Sequence, residues 1–286
     1  MKCASFSVLS LVLASSLVSA AGITFGPVKA QPGQSIRLVS SSTSEGGSIE
    51  VTKGGRTSRG TIRITRDRDL SWTFRDPAVD GSRRGMVSVA RISTLSSVVL
   101  DGREEKSQDA SPLNGKMFAM SKSPSGDWKF ELDGSVPRYR IQKEIDELTV
   151  YLKRQWYPER MVKVGDSWEF DPSWVRMIVE KDLHKAQTIG TMKLSQVRHS
   201  AQQDIAVIDV AIRSTGGDFR ADGSETNVQI ELTGQVMVNL RTMLDESLTL
   251  KGVIVSSSGK IGDSKKVTLP VQLVVTKSFV REFGSP

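Results

Sequence analysis

The sequence predicts a mainly β protein with a minor α component: long antiparallel strands in strongly curved sheets, forming half-barrel-like units, with one or two amphipathic helices. Three observations lead there. Apolar and polar residues alternate with period two over Thr61–Thr65 (T-I-R-I-T), Asp204–Arg213 (D-I-A-V-I-D-V-A-I-R) and Asn227–Leu240, the pattern of half-buried strands. Turn signals punctuate the chain at Glu45-Gly46-Gly47, Asp80-Gly81, Asp101-Gly102, Ser125-Gly126-Asp127, Thr215-Gly216-Gly217, Asp222-Gly223, Ser258-Gly259 and Gly262-Asp263. The strands expected over 224–240, 246–257 and 265–280 exceed the ~3–10 residues usual in globular proteins, which suits a curved sheet or open barrel better than a compact sandwich.

Taken in chain order, residues 1–20 read as a secretory signal peptide. Lys2 supplies the positive start, Val8 to Val18 the apolar run, and Ser19, Ala20 and Ala21 the small residues of a cleavage site. Cleavage near Ala20 or Ala21 places the mature chain in the periplasm or outside the cell. The apolar run is shorter than the ~20 residues of a membrane span, so membrane association is expected to be peripheral at most. The single cysteine, Cys3, precedes that run; the mature chain then has no disulfide, thiolate metal site or cysteine nucleophile.

Residues 21–158 are expected to form an N-terminal β-rich unit ending in a helix. From Tyr139 to Trp156, Ile141, Ile145, Leu148 and Leu152 recur at helical spacing among Lys143, Glu144, Asp146, Glu147, Lys153 and Arg154, and Pro158 closes the segment. Residues 159–286 form a C-terminal β-rich unit of long antiparallel strands. A second, short helix opens at Asp171-Pro172, an acidic N-cap before a proline at the first helical position, and carries Trp174, Val175, Ile178 and Val179. Between the helices, Val162-Lys163-Val164-Gly165-Asp166-Ser167-Trp168-Glu169-Phe170 reads as a turn feeding a strand. It echoes Gln31-Pro32-Gly33-Gln34-Ser35-Ile36-Arg37-Leu38 near the mature start. The echo suggests internal duplication; a single large half-barrel is the alternative.

The formal charge is +7, with 39 Lys+Arg against 32 Asp+Glu in 286 residues. The densest basic series, Arg56, Arg59, Arg63, Arg66 and Arg68, is interrupted by Asp67 and Asp69, as on a solvated sheet face. No nucleic-acid recognition motif accompanies it.

The order P-G-Q-S-I-R-L, then L-N-G-K-M-F-A-M with a Ser-Gly turn, an amphipathic helix and V-K-V-G-D-S-W-E-F resembles a group of exported bacterial β-rich proteins of unknown function with a G-D-(S/T)-W motif. These are distantly similar to the half-barrels of periplasmic lipoprotein carriers and lipid-binding lipoproteins. The resemblance spans roughly 30–260, with Lys163 to Trp168 its one sharp motif, and implies compartment and architecture more than activity. Unlike many lipid-anchored carriers, this chain has no lipobox cysteine.

Catalytic constellations are sparse. Gly165-Asp166-Ser167 matches the G-D-S block of secreted esterases, but no histidine follows His199 to serve as base. His184 and His199 lack zinc-ligand spacing. Asp218, Asp222 and Glu225 lack a calcium-loop pattern. No catalytic residue, metal ligand or cofactor is therefore assigned, and the protein is expected not to be an enzyme. Ten of 17 aromatic residues fall between Phe118 and Trp174. From these, Phe118, Trp128, Tyr151, Trp156, Trp168 and Trp174 are candidates to line an apolar groove between sheet and helices. The expected partner is a lipid or hydrophobic small molecule. The alternatives are an envelope structural or protein-interaction module and, third, a carboxylate-based hydrolase.

Overall fold

A computed structural model of the chain describes residues 22–77, 82–122, 128–131, 141, 142, 144, 145, 148, 156–170, 184–219, 225–260 and 262–281. The expected signal peptide, the helix at Asp171-Pro172, most of the helix over 139–156 and the turns at 80–81, 125–127 and 222–223 lie outside them. Twelve strands are defined: β1 (Gln34–Lys53), β2 (Arg56–Phe74), β3 (Arg83–Leu100), β4 (Arg103–Ala110), β5 (Met117–Lys122), β6 (Trp128–Glu131), β7 (Ser167–Glu169), β8 (His184–His199), β9 (Asp204–Phe219), β10 (Glu225–Asn239), β11 (Leu244–Lys260) and β12 (Asp263–Arg281).

All twelve belong to one open antiparallel sheet in the order β6-β5-β3-β2-β1-β12-β11-β10-β9-β8-β7, with β4 added beside β3. The chain starts in mid-sheet at β1 and proceeds outward to the edge strand β6. It then crosses to the opposite edge at β7 and returns to β12, which pairs with β1 from Gln34↔Arg281 to Thr52↔Ser264. Strands from both sides of residue 158 therefore share one hydrogen-bonded sheet.

Period-two patterning makes one face apolar. A single row runs Trp168, Met192, Val210, Gly234, Leu250 and Leu273 across β7 to β12, and its side chains are buried. At β1 and β2 the same row turns polar, as Ser42 and Arg66. Nearer the start of β1 the apolar face continues as Ile36, Trp72, Val87 and Phe118. Ile141, Gln142, Glu144, Ile145 and Leu148 have helical backbone; Ile145 and Leu148 are buried in the same core, and Ser111 Oγ donates to the Glu144 carboxylate.

Three expected turns are corrected. Glu45-Gly46-Gly47 lies inside β1 as a bulge, where Ser44↔Ile64 and Gly47↔Ile62 enclose one more residue on β1 than on β2, and Gly46 takes φ +73°. Pairing on both flanks outweighs the local turn preference. Thr215-Gly216-Gly217 runs through β9, laddered to Val228 and Asn227 of β10. Ser258-Gly259 continues β11, and the reversal falls just beyond, where Gly262 has φ +87°. Asp101-Gly102 does form the β3–β4 hairpin with both φ values positive, as does Gly54-Gly55 between β1 and β2, the requirement of a type I′ turn.

The sequence echo is also a structural one. Gln34 N–H donates to Gln31 O and Asp166 N–H to Lys163 O. The side chains of Gln34 and Asp166 each accept the N–H three residues back, both at 2.9 Å. Gly33 (φ +77°) and Gly165 (φ +98°) donate across to Phe74 O and Leu194 O, each at 2.8 Å.

Two predictions follow from the sheet's construction. A Cβ on Gly234 would stand 1.8 Å from the Thr249 carbonyl oxygen, and one on Gly252 1.9 Å from that of Glu231. Gly234→Ala or Gly252→Ala should therefore cost roughly 1–3 kcal/mol or more in urea unfolding, whereas Gly26→Ala, with open space around it, should cost far less. On the outer face, Arg37 donates to both carboxylate oxygens of Asp69 at 2.9 and 2.6 Å. That hydrogen bonding holds the Asp69 carboxyl below its ordinary range, against slight desolvation and with added charge attraction. A depressed carboxyl contributes stability above its unfolded value, near ~3.9, that is lost as pH falls through its folded value. Carboxyl NMR should show Asp69 titrating below ordinary aspartates, and Asp69→Asn should lose part of the decline in stability below about pH 4.

Candidate functional site

The extended segment 22–33 runs along the end of the sheet where β1 begins. Ile23 and Val162 exchange backbone hydrogen bonds at 2.7 and 2.8 Å, Lys29 N–H donates to Thr242 O, and Gly33 N–H to Phe74 O. These bonds hold the segment across the apolar face, and with Tyr157, Pro158 and Glu159 of the returning crossover it walls a cleft of about 570 Å³.

Two groups of aromatic rings contribute to its lining. Phe25 stacks on Tyr157 with centroids 4.6 Å apart and leans on Trp168 at 6.1 Å, while Trp156 sits 6.0 Å from Tyr157. On the sheet side Phe74 meets Trp128 edge-on at 6.3 Å, beside Trp72 and Ile36. Such offset and edge contacts are favourable arrangements for ring pairs.

A buried polar group also lines the cleft. Lys277 and Asp245 side chains, 13% and 7% exposed, approach at 3.5 Å, and Tyr157 Oη donates to the other Asp245 oxygen at 2.8 Å. Lys277 points inward because β12 pairs it with Leu38 of β1. Among the described residues, Arg83, Lys122 and Glu159 are the other charged groups of the lining.

Of the groove residues expected from sequence, Trp128 lines the cleft. Phe118 is buried against Phe130. Trp156 and Trp168 are buried behind Phe25 and Tyr157, and Trp168 Nε1–H donates to Trp156 O at 3.0 Å. Tyr151 and Trp174 lie outside the described residues. Sequence reasoning missed Phe25, Trp72, Phe74, Tyr157, Asp245 and Lys277. Trp72 and Phe74 carried a usable signal, the alternation S-W-T-F at the end of β2; the Asp245–Lys277 pair carried none, since only the β11–β12 pairing brings it together.

The G-D-S-W motif closes a turn. Asp166 Oδ2 accepts Lys163 N–H and lies 3.5 Å from Arg160 Nη1, while Leu194 N–H donates to Asp166 O. His199 Nδ1 meets Asp204 Oδ1 at 2.9 Å on the surface of the β8–β9 hairpin. Among the described residues, no group of three or more His, Cys, Asp or Glu could hold a metal ion, and no helix is long and apolar enough to cross a membrane.

No protein-family model and no curated protein matches the chain. Among solved structures it is similar to lipovitellin, determined for its lipid–protein interactions, with TM-score 0.40 and 9% identity over 90% of this chain. The chain spans 26% of that lipovitellin chain. It also matches HCR/D-Sa-GBL1/C and the botulinum neurotoxin serotype C1 binding domain, each with TM-score 0.15 and 8% identity, covering 87% of this chain and 83% of theirs. Likeness this remote assigns no function, which has to be argued from the cleft itself.

The buried pair gives a prediction. Asp245→Asn removes a carboxylate charge from beside the buried Lys277 ammonium and should lower stability by about 3 kcal/mol, the low end for breaking a buried pair, whereas Asp245→Leu combined with Lys277→Met should recover most of it. Urea unfolding of the single and double variants measures this directly.

Proposed function

We propose that this is an exported, non-enzymatic protein that binds a lipid or another amphipathic apolar ligand in the cleft between the sheet and segments 22–30 and 156–160. The observation that carries the reading is the cleft of about 570 Å³ lined by Phe25, Trp72, Phe74, Trp128 and Tyr157 together with charged side chains, a volume within the ~300–1,000 Å³ of small-molecule sites.

A half-barrel sheet belongs to this reading. Laid flat, eleven strands in sequence at ~4.8 Å spacing would hold the edge strands nearly ~50 Å apart. Yet Phe25 leans on Trp168 of edge strand β7 while lining the same cleft as Trp128 of edge strand β6, which supports a sheet curled around its apolar face. The repeated Gly33 and Gly165 turns support a duplicated origin and kinship with exported β-rich proteins carrying G-D-(S/T)-W. The leader-like residues 1–20 support a periplasmic or secreted location. Use of the G-D-S-W polar groups in a turn, and of Asp245 by Lys277 and Tyr157, supports binding over hydrolysis.

Native mass spectrometry of the chain without residues 1–20, followed by organic extraction, tests the reading. A stoichiometric apolar adduct is expected, lost in Trp128→Ala when circular dichroism shows that variant folded. A clean apo mass, unchanged after incubation with oleate and with phosphatidylethanolamine/phosphatidylglycerol vesicles, would overturn it in favour of an envelope interaction module.

A further inference from the structure

The cleft's charges are unevenly placed. Arg83 of β3 and Lys122 of β5 are direct partners in their ladder, and Lys122 is in turn the partner of Trp128 on β6. Directly paired residues present their side chains on the same face, so two cations and an indole stand side by side in one row, and all three line the cleft. Like charges directly opposite one another destabilise a sheet. Among the described residues neither Arg83 nor Lys122 makes an ion pair.

Several arginines elsewhere on the sheet stand beside a carboxylate. Arg37 meets Asp69, Arg59 meets Glu50, Arg63 meets Glu45, Arg91 meets Asp67 and Arg213 meets Glu231. Inside the cleft, Lys277 is matched by Asp245. Among the described residues Glu159 is the other carboxylate of the lining, and it belongs to the crossover segment rather than to the β3–β5–β6 row. What sets Arg83 and Lys122 apart is their adjacency: two cations without a carboxylate partner among the described residues stand side by side in the lining that also holds Trp72, Phe74 and Trp128.

Resting on the ligand-binding reading above, we infer that Arg83 and Lys122 form an oxyanion subsite, and that the ligand is an amphiphile whose carboxylate or phosphate head they hold while its apolar body lies on those rings. Arginine's planar fork suits bidentate contact with either oxyanion, and lysine adds a point charge. A ligand anion relieves the repulsion between the two cations.

The test compares oleate, oleyl alcohol and inorganic phosphate by calorimetry and tryptophan fluorescence, with the amphiphiles kept below aggregation. Wild type should bind oleate at least about tenfold more tightly than oleyl alcohol, the scale of one charge-assisted hydrogen bond, and added salt should shrink the preference. Arg83→Gln/Lys122→Gln should collapse that ratio without lowering the melting temperature, because the substitutions remove a repulsion. Equal binding of oleate and oleyl alcohol by wild type, or a preference that survives in the double variant, would overturn the subsite while leaving the ligand-binding reading intact. Phosphate binding that depends on Arg83 and Lys122, with neither amphiphile bound, would support an oxyanion subsite for a free anion and overturn the lipid source. Binding of none of the three would overturn both.

Discussion

The cleft depends on the ladder between β1 and β12, which ties the first strand of the chain to the last. Because that ladder fixes β1 in mid-sheet, the strands after it can only be added outward, and the chain reaches one edge at β6 with half the sheet still unbuilt. It must then cross to the other edge before β7 to β12 can return to close the joint. The crossover, with the strap at 22–33, supplies what a single sheet lacks: a second layer over its apolar face. The Phe25–Tyr157–Trp168 wall is a product of connectivity as much as of composition. The same topology makes the defining contacts non-local, which raises loop-closure entropy and slows folding relative to a simple hairpin series.

The sheet handles its two faces by different physics. Outside, charge meets charge across neighbouring strands in solvent, where each pair contributes little. Inside, the buried pair of Asp245 with Lys277 is anchored by Tyr157 from the crossover, so a polar contact helps fix how the second layer sits on the first. Glycine takes a comparable part on the β8 side, where the Phe170 ring lies over Gly190 in space that a Cβ would fill, and the start of β7 is pinned by the turn at Gly165.

Much of the sheet was legible in period-two runs because alternation directly encodes which face is buried. The C-terminal strands expected over 224–240, 246–257 and 265–280 occur as β10, β11 and β12, with ends shifted by a few residues. Glycine was the unreliable signal: the same residue type makes the hairpin at Asp101-Gly102, a bulge at Gly46-Gly47 and uninterrupted strand at Gly216-Gly217. Only the partners on either side, invisible locally, decide among these. The site was less legible for the same reason. Trp128 was reachable from the crowding of aromatics around the crossover, but Phe25, Trp72 and Phe74 belong to distant segments, and Asp245 finds Lys277 only through strand register. Connectivity is a long-range property that residue pattern does not record.

An open sheet has edges, and β4 shows how one of them is protected. Every residue from Arg103 to Ala110 is exposed on both faces of that strand, and among the named strands only β3 pairs with it. A second sheet docking along R-E-E-K-S-Q-D-A would have to strip water from Glu104, Glu105, Lys106 and Asp109 and, in a self-pairing, set like charges against one another. In a concentrated, crowded compartment this makes β4 a gatekeeper against fibre-like growth, allowing the molecule to keep an open architecture without polymerising along that edge.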